Sequence, residues 1–252
     1  MLAVFCLRLA LGMLASLLFL SHRQMHARFF RTHFLTALGL CIVALVTAWG
    51  TPMVVPTAIA VAGAFAGSLV WIFDRPPAGW TFWTVTVFAT TAALALTDPP
   101  LKGMTEGNPV TPLAGRLAND VTAALLLGSI VTAMLVGHSY LISPALSIRP
   151  LMVQLALIGA ALALRVVVSG AALAFWTREH SLTNLNDDVV LFLPVRWLIG
   201  IVGPAFFGFL AYRTAQIRST QSATGILYVV VVLAFLGELT ALVLYRNTGF
   251  PL

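Results

Sequence analysis

"LIGAALALRVVVSGAALAFW", residues Leu157 to Trp176, contains a single charge, Arg165, near its middle. About 20 apolar residues is the length of a membrane-crossing helix. A guanidinium in hydrocarbon costs at least about 3 kcal/mol even on the most lenient insertion scale. The stretch therefore reads as a span only if Arg165 faces the inside of a helix bundle. That reading sets the fold class for the rest of the chain.

The composition agrees. Of 252 residues, 60% are apolar and only 9% charged, against roughly 25% charged in soluble chains. The expected class is an all-α, polytopic integral membrane bundle forming one domain over residues 1–252. The net charge of +6 is no nucleic-acid signal, because the basic residues stand at the ends of apolar runs, where they orient helices. The expected partners are the bilayer and other membrane subunits, and no nucleic acid.

Eight runs approach spanning length: 1–20, 33–50, 54–73, 79–97, 118–141, 150–176, 189–213 and 222–245. The pair 54–73 and 79–97 is the weakest, being short and joined by "DRPPAG". The first run lacks a basic segment before it and a small-residue cleavage site, so it reads as a retained span rather than a signal peptide. The longest connector is "TDPPLKGMTEGNPVTPLAGR", rich in Pro and Gly. No internal repeat hints at an inverted-repeat transporter.

Charge counting gives an orientation. With the N-terminus outside, the inner loops hold Arg23, Arg28, Arg31, Arg75, Arg149, Arg213 and Arg218. The outer segments hold Lys102, Arg116, Arg178 and Arg246. Seven against four favours both termini outside under the positive-inside rule. The acids Asp98, Glu106, Asp120, Glu179, Asp187 and Asp188 fall outside, and Asp74 inside. Short loops and the arginine bias point to a multi-pass protein of a bacterial inner (plasma) membrane.

Smaller signals are ordinary for a bundle. Gly63 and Gly67 form a GxxxG that admits a close neighbour. Tryptophans near span ends suit an interfacial belt. Ser219 or Thr220 is placed to cap the last helix. Cys6 and Cys41 lie inside apolar runs without metal spacing, and read as packing residues.

The informative residues are the charges inside the spans: Arg8, Arg165, Arg196 and Glu238, with Asp120 at a span edge. At about 1.5 Å per residue, Arg8, Arg196 and Glu238 lie roughly 10 Å from the outer ends of their spans and Arg165 roughly 17 Å. All five gather in the outer half or at the midplane. Intramembrane charges mark function by default. Glu238 is the expected counter-ion of Arg165, and Asp120 the second choice. The surplus of arginine implies an anionic guest such as a carboxylate, a phosphate or haem propionates, because a guanidinium donates in a planar fork. The plainer alternatives are an ion-pair network that only sets helix register, and an Arg8 that reaches the interface by snorkelling.

Histidines collect at the other side. His22, His26 and His33 lie at the inner end of spans 1 and 2, and His138 at the inner end of span 5. His180, in "TREHSLTN", reads as a solvated outer-loop residue. Imidazoles from two helices suit a b-type haem or a quinone head group, with metal ligation by His26, His33 and His138 as a third option. No carboxylate stands beside them as a supporting partner, which weakens the metal reading. The plainer alternative is that they sit in the head-group layer.

No HExxH, GxSxG, Walker glycine loop or paired acidic motif occurs, which disfavours a hydrolase or NTPase and leaves no catalytic residue to name. Three readings follow: a subunit of an electron-transfer assembly binding quinone or haem b at the histidines, a carrier for a small anionic or lipid-linked solute using the arginine cluster, and a structural or assembly protein.

Overall fold

The computed structural model describes residues 1–22, 24–73, 75–97, 113–142, 146–179 and 187–250. Arg23, Asp74, Asp98, Lys102, Glu106 and His180 lie outside them. Among the described residues the fold is all-α, with no strand. The helices are α1 (Leu2–Ser16), α2 (Ala27–Thr47), α3 (Val54–Val70), α4 (Pro76–Ala95), α5 (Leu113–Ile142), α6 (Arg149–Glu179), α7 (Asp187–Trp197), α8 (Gly203–Gln216) and α9 (Thr220–Thr248). A π-helical segment, Leu198–Val202, joins α7 to α8 into one rod.

The polarity of the molecule is that of a membrane protein. Large apolar side chains point outward, among them Val46, Val167, Phe88 and Phe209, while Arg8, Arg165, Arg196 and Glu238 are buried. Six stretches are long and apolar enough to cross a bilayer: Leu2–Phe19, Ala27–Thr47, Leu113–Tyr140, Arg149–Arg178, Val189–Gln216 and Thr220–Thr248. The eight expected runs thus correspond to six such helices, the shorter apolar α3, and α4. α4 has the length but is diluted by threonines. Thr81, Thr84, Thr86, Thr90 and Thr91 each donate back to a carbonyl of their own helix, which silences hydroxyls that would otherwise resist burial. The second helix starts at Ala27 rather than residue 33. Ser219 takes the N-cap position of α9, but its side chain makes no capping bond. Cys6 and Cys41 are buried free thiols.

α1 and α5 form the centre. Each has 72% of its apolar window buried, against 28–44% for the other crossing helices. They run in the same direction: Arg8 meets Asp120, and further along both helices Gly12 meets Gly128. A Cβ on Gly12 would stand 1.7 Å from the Ala124 carbonyl oxygen, and one on Gly128 1.8 Å from the Gly12 carbonyl carbon. Backbone thus touches backbone, as small residues permit where lipid tails supply no hydrophobic drive. A second crossing of this kind joins the π segment to α9. There a Cβ on Gly237 would lie 2.1 Å from Gly200 Cα. The expected GxxxG also works by close approach: Gly67 faces the Phe34 ring of α2, and Gly63 the Thr86 hydroxyl of α4.

α9 runs against α5, with Gly137 beside Thr224 at one end and Asp120 and Tyr245 lining one pocket at the other. Met1 and Arg246 consequently meet at the same end of the bundle. Two side chains add second bonds to carbonyls at the end of α1, where a 3-10 turn, Leu17–Phe19, takes over. Trp83 Nε1 donates to Leu14 O at 2.7 Å, and Gln154 Nε2 to Ser16 O at 3.0 Å.

Overpacking a tight contact costs about 1–3 kcal/mol, and a backbone–backbone crossing leaves little room to relax. Gly12→Ala and Gly128→Ala should therefore each lower the Tm of the purified protein. Gly39→Ala, whose new methyl group would meet nothing within 4 Å, should be neutral or slightly stabilising, since alanine is the better helix former. Equal melting of all three variants would contradict the crossing.

Candidate functional site

The five charges expected inside the membrane converge from five helices, and none is more than 5% exposed. Arg8, on α1, sits four residues before the Gly12 crossing. Its Nε donates to Asp120 Oδ1 of α5 at 2.9 Å, with Nη2 on the same oxygen. Its Nη1 donates to Glu238 Oε1 of α9. Arg165, on α6, donates from Nη2 to Glu238 Oε2 at 3.0 Å and Oε1 at 3.3 Å. Its Nη1 donates to Asn119, through the side-chain oxygen and, at 3.2 Å, the backbone carbonyl. Glu238 is thus shared by two guanidinium groups, which ties α1, α6 and α9 together, and Asp120 adds α5.

Arg165 faces inward against Glu238, as expected, while Asp120 serves Arg8. Arg8 does not snorkel, because both its forks are held by carboxylates and it is 2% exposed. Asn119 and Thr122 were missed. Their side chains reach Arg165 Nη1, but nothing in "LANDVTAA" separates them from ordinary helical polar residues.

Arg196 differs from the other two arginines. It is 1% exposed, and among the described residues no carboxylate lies within ion-pair distance of it. Among the described residues its one hydrogen bond is from Nη2 to Ser169 Oγ of α6, at 3.4 Å, and its Nε has no partner. Three guanidinium groups against two carboxylates leave one positive charge, and that charge is Arg196. Taking a lone charge into a low-dielectric interior is among the costliest events in folding, so the site is electrostatically incomplete.

Above the network, toward the Met1 end, lies a cleft of about 220 Å³ lined by Met1, Arg8, Arg116, Asp120, Tyr245 and Arg246, among others. Arg116 is anchored to Thr97, two residues beyond α4, through that residue's carbonyl and hydroxyl oxygens. The cleft connects the polar end of the bundle with the Arg8–Asp120 pair. It carries three arginines and one carboxylate on its walls.

The histidines part company. His26, His33 and His138 line one cleft of about 380 Å³ at the opposite end, with Arg28, Thr32 and Ser139. His22 is exposed and not among its lining residues. His33 is fully buried. Its Nδ1 stands 2.9 Å from Phe29 O, where it must donate, and its Nε2 lies 3.2 Å from the Thr132 hydroxyl, which it then accepts. Both ring nitrogens are therefore engaged. Among the described residues no group of three or more His, Cys, Asp or Glu is gathered to hold a metal ion.

Breaking one partner of a buried pair costs about 3–5 kcal/mol. Glu238→Gln, which strips two guanidiniums, should destabilise the protein more than Asp120→Asn, which strips one. Arg165→Gln combined with Glu238→Gln leaves the Arg8–Asp120 pair self-contained. The double variant should then be more stable than the sum of the single losses by about 0.5–3 kcal/mol, read from melting of the four proteins. Strict additivity would contradict a direct pair.

No family model, curated protein or solved structure matches the chain.

Proposed function

We propose that this is a multi-pass membrane protein that binds an anion, a carrier or acceptor for a small anionic or lipid-linked solute. The observation that supports it is the charge imbalance of the buried cluster: among the described residues Arg196 has no carboxylate partner, and a guest that brings one negative charge would complete it. A purely structural network would be expected to end in neutrality, as the Arg8–Asp120 and Arg165–Glu238 pairs do. The cleft at the Met1 end is the natural entry, since its arginines Arg116 and Arg246 would concentrate anions at the mouth. The positive-inside count favours an orientation with that end outside the cytosol, in keeping with a bacterial plasma membrane.

A second reading has one observation in its favour. His26, His33 and His138 line a common cleft, which suits a quinone head group at His26 and His138 in a subunit of an electron-transfer assembly. A b-type haem asks each axial histidine for a free lone pair, and the His33 nitrogens are both occupied. This reading therefore keeps the quinone and drops the haem.

Two measurements test these proposals. A ligand that binds only the folded state stabilises it by about 2.7 kcal/mol at a hundredfold excess over Kd. Purified protein in nanodiscs should show a saturable rise in Tm with at least one of acetate, lactate, phosphate or glycerol phosphate, beyond that given by chloride at equal ionic strength. No response to any of them would contradict the anion reading. Visible absorption of protein purified from a haem-replete host should lack a Soret band. A stoichiometric band that shifts on reduction would restore the haem.

A further inference from the structure

Among the described residues, the unpartnered buried polar atoms of the charged half of the bundle are all donors. They are Arg165 Nε, Arg196 Nε and Trp197 Nε1, and they come from α6 and α7. An indole N–H and a guanidinium can only donate, so what is missing beside them is an acceptor. Two of the three come from consecutive residues that meet consecutive residues of α6. Arg196 reaches Ser169 Oγ at 3.4 Å. The Trp197 ring meets Gly170 through Cη2, the corner of the indole away from its N–H, 3.9 Å from where a Cβ on Gly170 would be. Among the described residues no other neighbour outside its own helix backbone lies within 4 Å of that point. Below it, Arg196 Nη1 lies 3.0 Å from the Cβ position of Gly200, and a side chain there would press on the guanidinium.

The backbone is irregular at the same place. Pro194 interrupts α7 two residues before Arg196, and Pro204 follows the π segment. Proline removes intrahelical hydrogen bonds, and single π turns inside α-helices are frequent at functional sites.

We infer that the seam between α6 and α7, where Arg196 and Trp197 meet Ser169 and Gly170, seats one singly charged two-oxygen anion, a carboxylate or a lipid phosphodiester. The inference rests on the anion reading above and names its site and ligand class. Single charge follows from the surplus of one guanidinium. Two oxygens follow from the planar fork, which pairs bidentately with carboxylate and phosphate groups. The Ser169 hydroxyl and the Trp197 N–H supply the remaining donors. Arg165, one turn before Ser169 on α6, positions the seat together with its partner Glu238 of α9.

The test uses the full chain in nanodiscs of uncharged lipid. Melting is followed against butyrate, against a short-chain phosphatidylglycerol, and against chloride and phosphate at matched ionic strength. Butyrate or the phosphatidylglycerol should bind saturably with one site per chain, and whichever responds names the source as free solute or lipid. Its Kd should rise at least tenfold in Arg196→Gln and about three- to tenfold in Trp197→Phe and Ser169→Ala. The last two keep every charge, so they decide the matter if Arg196→Gln does not fold. Unchanged affinity in Trp197→Phe and Ser169→Ala, with loss in Arg116→Gln, would move the anion to the entry cleft, overturning the seat while sparing the anion reading. Equal binding of chloride or of dianionic phosphate would overturn the ligand class. No binding of any anion would overturn both.

Discussion

Glu238 lies between two guanidinium groups, and the arrangement of the bundle depends on it. The carboxylate accepts from Arg8 of α1 and Arg165 of α6 while standing on α9. Each arginine would be costly to carry into a bilayer unpaired, and no other carboxylate among the described residues serves both. Asp120 neutralises Arg8 alone. The network therefore works as an orientation device. It requires α1, α5, α6 and α9 to present particular faces to one another at one depth, which apolar packing in a lipid solvent does not specify.

The charges can meet only because the backbones are allowed to meet. Gly12 with Gly128, and Gly200 with Gly237, remove the side chains that would hold the helices apart. Arg8 is one turn from Gly12, Arg196 one turn from Gly200, and Glu238 the neighbour of Gly237. Each long arginine thus spans a short gap set by a glycine contact close by. Crossing and ion pair support each other: loosening the first would lengthen the second, and losing the second would leave charge in the first.

Much of this arrangement is legible in the sequence. Apolar runs near 20 residues give helix class and approximate limits, because hydrocarbon thickness is a hard constraint. The depth of Arg8, Arg165, Arg196 and Glu238 follows from counting along each run, and the rise per residue is invariant. That made the cluster visible and named Glu238 as the partner of Arg165. Partner assignment for Arg8 was less accessible, since it depends on which way each helix is rotated. Asn119, Ser169 and Trp197 were invisible for the same reason: a serine or tryptophan in a span carries no mark of what it faces. The glycine crossings were half-legible. Gly63 and Gly67 announce themselves by spacing, whereas Gly12 and Gly128 belong to different helices and share no local pattern. The π segment was not legible, because it arises from two prolines ten residues apart and from the packing between them.

The most direct measurement is a side-chain-resolution structure determined in lipid. The account predicts one Glu238 carboxylate in contact with both Arg8 and Arg165, and Arg196 directed to the Ser169 seam with non-protein density against its guanidinium. Arg165 turned toward lipid, or Glu238 separated from both arginines, would contradict it.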